Sequence, residues 1–263
     1  MAGRCLTTRS TMGPKRKEAL EKAGAIIFAL AIWQAAAVAV NTRILLVGPI
    51  DVLLRLCTIW QMENFWGSIW FTFYHIVSGF LLGLAVGVLL AALSARYHTA
   101  ETLLWPFMIT IKSVPVASFI VICLIWLSAK NVSVFISFLI VMPVVYGNML
   151  SGIRAMDKNL LEMTAVFRMP GLRRLKYVYL PELKPFIMSA CSTALGMSWK
   201  AGVAAEIIGT PDGSIGKQLY YAKVWVDTDD LLCWTVIIVI CSVAFEKLFM
   251  AMIKGMYRRL EGA

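Results

Sequence analysis

Charged side chains are sparse in this chain, at 15% of 263 residues against about 25% in soluble domains, so most of its surface is not built for water. Histidine is rarer still, with only His75 and His98. The six cysteines (Cys5, Cys57, Cys123, Cys191, Cys233 and Cys241) form no C-x-x-C pair and have no partnering histidine cluster. Four of them lie inside apolar runs, which reads them as reduced, hydrophobic packing residues rather than metal ligands. No Ser-His, paired-Asp or metal-ligand set falls within the apolar segments, so no intramembrane enzyme is indicated and no catalytic residue is assigned. A nucleotide-binding loop is missing too. The stretch Gly213-Ser214-Ile215-Gly216-Lys217-Gln218 comes nearest and fails on spacing and on its final residue.

What is abundant is apolarity, with 60% hydrophobic residues and a mean hydropathy of +0.76. A hydrocarbon core of about 30 Å takes about 20 apolar helical residues. Six stretches answer to that: Ala23–Val40, Ile69–Leu93, Thr102–Leu127, Val132–Leu150, Phe186–Ile208 and Leu231–Ile253. The expected fold is all-α and polytopic. A tail over 1–22 precedes a first span and external segment over 23–64, a main transmembrane domain over 65–255 and a short tail over 256–263. Trp60, Trp66, Trp70, Trp105, Trp126, Trp225 and Trp234 sit near span ends, as an aromatic belt requires. Gly79, Gly83 and Gly87 form a small-xxx-small face suited to close helix packing, within the chain or at a seam between copies. His75 reads as an interhelical hydrogen-bonding group, and His98 as solvated.

The net charge of +10 raises the question of nucleic acid, and its distribution answers it. Outside the spans, seventeen Lys and Arg fall on one side: six before the first span, Arg96, seven in 151–185, and Lys254, Arg258 and Arg259. The other side holds five: Arg43, Arg55, Lys130, Lys217 and Lys223. This asymmetry places both termini in the cytoplasm. The bilayer, not nucleic acid, is the expected partner of the basic charge.

Residues 151–185 form the long loop of that side. From Asp157, a plausible cap, DKNLLEMTAVFRMP carries Leu160, Leu161, Thr164 and Phe167 at helical spacing. Met169-Pro170-Gly171 breaks this helix. A second amphipathic piece, LRRLKYVYL, then runs to Pro181 and Pro185, where the fifth span is expected to begin. The result is a helix-turn-helix elbow, suited either to a membrane surface or to a cytoplasmic partner.

The stretch Glu162-Met163-Thr164-Ala165-Val166-Phe167-Arg168, followed after nine residues by Val178-Tyr179-Leu180-Pro181, resembles the EAA loop of ABC-importer permeases. That pattern is Glu-Ala-Ala, three residues, Gly, nine residues, Ile-x-Leu-Pro. Met163 and Thr164 stand for the alanines, Arg168 for the glycine and Val178 for the isoleucine. The runs Ser78–Gly83, Lys112-Ser113-Val114-Pro115 and Glu206-Ile207-Ile208-Gly209, with the external Val47–Val52, are similar to the nitrate, sulfonate and taurine branch of the type I permeases. The resemblance implies a type I importer permease fold in a bacterial inner membrane. It further implies a second permease copy, an extracellular binding protein, and two cytoplasmic ATPases that hold ATP and Mg²⁺, with no cofactor in this chain. Glu162, Met163, Thr164, Ala165, Phe167, Arg168, Pro170 and Gly171 would couple the ATPase. The solute would be small and anionic. An ion-coupled secondary transporter is the alternative, although no inverted repeat relates the two halves.

Ionisable residues inside spans are functional candidates by cost alone. Lys112 precedes the Ser113-Val114-Pro115 break and either lines a path or snorkels toward the cytoplasm. Trp199 and Lys200 lie mid-span. Lys200 and Glu206 are about 120° apart on one helix, so they are not expected to pair with each other. Lys200 is read as a positive centre on the path or as the partner of a carboxylate elsewhere, and Glu206 as a gate or structural residue.

Overall fold

The computed structural model describes residues 14–40 and 46–261. Within them the chain forms eleven α-helices: α1 (Pro14–Val40), α2 (Pro49–Ile59), α3 (Phe65–Arg96), α4 (His98–Ser113), α5 (Val116–Trp126), α6 (Ala129–Arg154), α7 (Lys158–Val166), α8 (Gly171–Arg174), α9 (Leu180–Gly209), α10 (Ile215–Val224) and α11 (Thr228–Glu261). A π-turn, Leu175–Tyr179, joins α8 to α9. Of the two expected tails, residues 1–13 and 262–263 lie outside the described residues. Residues 14–22 are the first turns of α1 and 256–261 the last of α11. Arg43 also lies outside the described residues.

The apolar runs become helices because only internally bonded backbone is tolerated in hydrocarbon. Residues 23–40 of α1, together with α3, α6 and α11, are each long and apolar enough to cross a membrane. Helices α4 and α5 pass the same test as a pair bent by 107°, at the predicted Ser113-Val114-Pro115 break. Helix α9, the expected fifth span, is not apolar enough to count by composition. Its packing supplies the missing argument.

Three glycines seat α3 on α6. A Cβ on Gly79 would stand 2.3 Å from the Val134 carbonyl oxygen, one on Gly83 2.7 Å from Val141, and one on Gly87 2.8 Å from the Met142 carbonyl oxygen. Farther along, Tyr146 donates its hydroxyl to Ser94 at 3.1 Å. Rising numbers on both helices make α3 and α6 parallel, so the small-residue face serves packing inside the chain. Helix α9 runs the other way along α6. Gly209 lies by Val132, Gly202 by Ser137, and Gly152 by Leu183 and Phe186. An antiparallel helix matched to a spanning helix over its whole length spans the same thickness. With α3, α5, α6, α10 and α11 packed against it, α9 is covered on most sides and need not be apolar all round. Helix α11 lies parallel to α3 through Phe65–Trp234, Phe73–Phe245 and Phe80–Phe249, with ring centroids 5.3, 5.4 and 5.1 Å apart.

Two parallel spans, α3 and α6, require an odd number of crossings between them, which the bent α4–α5 pair provides. The chain is thus an integral membrane protein of about six spans: four by apolar length, the bent pair as a fifth, and α9 added by its packing along α6. Leu82, Leu89 and Leu93 are exposed on one side of α3. Helix α1 touches the rest near one end, where Trp33 Nε1 donates to the Val47 carbonyl at 3.0 Å.

Several expectations are corrected. Trp234 is not a belt residue; it is buried against Phe65. Among the described residues His75 makes no interhelical bond; its Nδ1 lies 2.8 Å from the Phe71 carbonyl in its own helix, and its ring stacks on Phe71. Cys123, Cys191 and Cys233 are buried as expected, while Cys57 is exposed.

Candidate functional site

The elbow is built by local chemistry. Asp157 Oδ1 accepts from the Asn159 backbone N–H at 2.9 Å and caps α7 as its sequence position predicts. At the other end Phe167 N–H donates to Met163 O and Met169 N–H to Thr164 O, both at 3.0 Å. Arg168 between them is left-handed, with φ 47°. This is a Schellman cap, whose left-handed position favours glycine. The residue that replaces the glycine of the EAA pattern therefore occupies the one backbone geometry that calls for glycine. Pro170 then caps α8, and Gly171 starts it with ordinary helical torsions.

Thr164 is buried and bonds the Leu161 carbonyl at 2.7 Å, whereas Glu162 is exposed. Ala165 lies within α7. The free face of the elbow is apolar: Val166 is 79% exposed, Phe167 73% and Leu172 84%. The second helix does not stop where the fifth span was expected to start. It passes through the π-turn, closed by Leu180 N–H on Leu175 O, into α9. Pro181 and Pro185 lack the amide that an α-turn would use, and the wider turn absorbs the first of them.

The second cluster is polar and lies deep. Glu206 on α9 is fully buried. Its Oε2 accepts from the Thr72 hydroxyl of α3 at 2.7 Å and from the Gly216 N–H of α10 at 3.3 Å. Thr72 Oγ1 in turn accepts from the Ile215 N–H at 3.0 Å, and Ser133 of α6 lies against the same carboxylate. The acid thus sits at the first turn of α10, where unpaired amides and the helix dipole favour an anion. Gly216 is demanded by proximity, since a Cβ there would stand 2.2 Å from Glu206 Cβ and 2.6 Å from its backbone carbon. Ser214 caps α10 by accepting from the Lys217 N–H at 3.0 Å. Lys217 also pairs with Asp212 and, as its hydrogen-bond donor, holds that carboxyl below the ordinary aspartate range.

The predicted path residues separate. Lys200 is exposed on α9, on a face shared with Ser189, Thr193 and Met197, and among the described residues no ion pair engages it. Lys112 is exposed, with its Nζ 3.5 Å from the point where a Gly147 Cβ would be, so it leans back along α6 toward the elbow side. Trp199 is not on the same face as Lys200; it is buried at 2% exposure against Phe73. Glu206 has no cationic partner among the described residues. Three functional candidates escaped sequence reasoning. Thr72 and Gly216 carry no signal of their own. Glu246 of α11, which accepts from Ser192 of α9 at 3.1 Å, did carry one, as an acid inside an apolar run.

The chain matches the family described as binding-protein-dependent transport system inner membrane component over residues 79–262. It is 27% identical over 213 residues to a probable ABC transporter permease from Brucella melitensis, covering 79% of this chain and 85% of that one. It is 26% identical over 211 residues to a putative aliphatic sulfonates transport permease from Bacillus subtilis, covering 79% and 76%. It is 23% identical over 220 residues to a nitrate import permease from Synechococcus elongatus, covering 80% and 78%. With its bundle of spans and its elbow in the register of the EAA pattern, the chain belongs to the family of inner membrane components of binding-protein-dependent transport systems.

Proposed function

We propose that this chain forms half of the translocation path of an ATP-driven importer for a small anion, and that an ATPase drives it through the α7–α8 elbow. The carrying observation is the elbow itself. An apolar face of Val166, Phe167 and Leu172 stands exposed on a segment whose cap obeys the register of the EAA pattern, and exposed apolar patches of this kind mark partner surfaces. In this reading the elbow and both termini face the cytoplasm, in line with the positive charge there. ATP and Mg²⁺ belong to the ATPase, and a second copy of the chain completes the path. An extracellular binding protein delivers the solute.

Lys200 supports an anionic solute, as an exposed, unpaired cation at membrane depth on α9. The relatives named for sulfonates and nitrate point to the same class. Glu206 serves as a structural clamp rather than a solute ligand, because it is fully buried and its Oε2 holds Thr72 and α10. Mass spectrometry of what co-purifies with the tagged chain from its native membrane tests the whole reading. An ATPase and an extracellular binding protein are the expected companions. A chain that comes out alone and moves solute on an ion gradient would be a secondary transporter instead.

A further inference from the structure

A groove that adjoins the elbow's apolar face and shares Leu172 with it lies where the ends of α3 and α6 meet the elbow's second helix. Its walls include Val88 and Ala92 of α3, Met149 and Ile153 of α6, and Leu172 and Leu175 beside them. Arg96 and Arg174 line it as well. Arg174 Nε is buried with no hydrogen-bond partner, and its guanidinium lies 5.4 Å from the Tyr179 ring centroid. Arg96 lies 5.9 Å from the ring centroid of its neighbour Tyr97. Among the described residues no ion pair engages either arginine.

A buried guanidinium N–H without an acceptor is costly unless a ligand supplies one. The ligand that satisfies this groove must carry negative charge at one end, for two arginines, and hydrocarbon at the other, for the apolar walls. Phosphate geometry suits guanidinium donors. Acyl chains suit a wall of Val, Ala, Met, Ile and Leu beside the exposed Leu89 and Leu93. Basic pockets between transmembrane helices bind lipid headgroups on the same logic. The chain's own first residues are the wrong occupant, since 1–13 carry Arg4 and Arg9 and no acid.

We infer that this groove binds one anionic phospholipid, with its phosphate on Arg96 and Arg174 and an acyl chain laid along α3 and α6. Such a lipid ties the end of a core span to the helix that carries the elbow. On the orientation proposed above it belongs to the cytoplasmic leaflet, although the site itself does not rest on that orientation.

The test uses the full chain purified in mild detergent, titrated with phosphatidylglycerol or phosphatidylcholine and read by native mass spectrometry. One phosphatidylglycerol per chain is retained in preference to phosphatidylcholine. Replacing both arginines (Arg96→Ala with Arg174→Ala) weakens its retention by about fivefold per arginine, while Arg96→Lys with Arg174→Lys keeps most of it. Arg173→Ala, next to the site but outside its lining, leaves retention unchanged. Equal retention of the two lipids overturns the site, as does undiminished phosphatidylglycerol on a double-alanine variant that melts like the parent chain. An equal loss on Arg173→Ala overturns it by showing diffuse charge alone. Displacement of the lipid by the ATPase subunit would assign the groove to that partner. Because the readout needs no ATPase, failure of the lipid site and failure of the importer reading are told apart.

Discussion

Thr72 and Glu206, 134 residues apart in the chain, are joined by a 2.7 Å hydrogen bond between two fully buried side chains. The same threonine oxygen and the same carboxylate hold the first two amides of α10. A single threonine therefore links α3, α9 and the short helix α10. In a medium of low dielectric, losing one member leaves the others unpaired at high cost.

Thr72→Val is expected to lower the unfolding free energy by about 1–3 kcal/mol. Gly216→Ala, which forces a Cβ into the Glu206 backbone, is expected to cost about 1–3 kcal/mol by overpacking. Both are read from thermal unfolding of the detergent-solubilised chain. A parental melting temperature in both variants would show that the clamp carries no stability.

At the elbow, Arg168→Gly relieves a left-handed side-chain penalty and is expected to stabilise the α7 cap by about 1 kcal/mol. Amide exchange over 158–169 slows in that variant. Arg168→Val moves the same amides the other way, because a β-branched residue tolerates positive φ poorly.

Phe167→Ser removes apolar surface that is already exposed, so thermal stability is expected to change by no more than about 0.5 kcal/mol. Recovery of the ATPase with the tagged chain should nevertheless fall about tenfold, the effect of losing one apolar anchor of an interface. Unchanged co-purification would separate the elbow from the ATPase.

Lys200→Ala is expected to reduce uptake of an anionic solute by about tenfold, through loss of one charge-assisted contact, with the melting temperature unchanged. Lys200→Arg restores a substantial part of it. Uptake in proteoliposomes assembled with the partner subunits is the measurement. Equal uptake by parent and alanine variant would take Lys200 off the path.

Much of this was legible before any coordinates. The spacing from Glu162 to Pro181 located the elbow, Asp157 announced its cap, and Pro115 announced the bend between α4 and α5. What stayed hidden depends on tertiary neighbours. Residues 215–224 have no long apolar run, and their helix is anchored by Thr72 and Glu206 from distant segments. Trp199 and Trp234 looked like path and belt residues, because burial of a tryptophan depends on which neighbour covers it. Helix α9 reads as a mediocre span because its shielding by other helices is invisible in its own composition.

The π-turn at Leu175–Tyr179 has a bearing on how α9 is to be counted. A π-turn takes in one residue more than an α-turn, so everything after it is set back by about 1.5 Å and about 100° relative to an unbroken helix begun at Gly171. A helical wheel drawn from the elbow straight through to Gly209 is therefore out of phase by about a quarter turn. On such a wheel the buried Trp199 would fall where Lys200 stands, and the side chain chosen to face solute would be the one that faces Phe73.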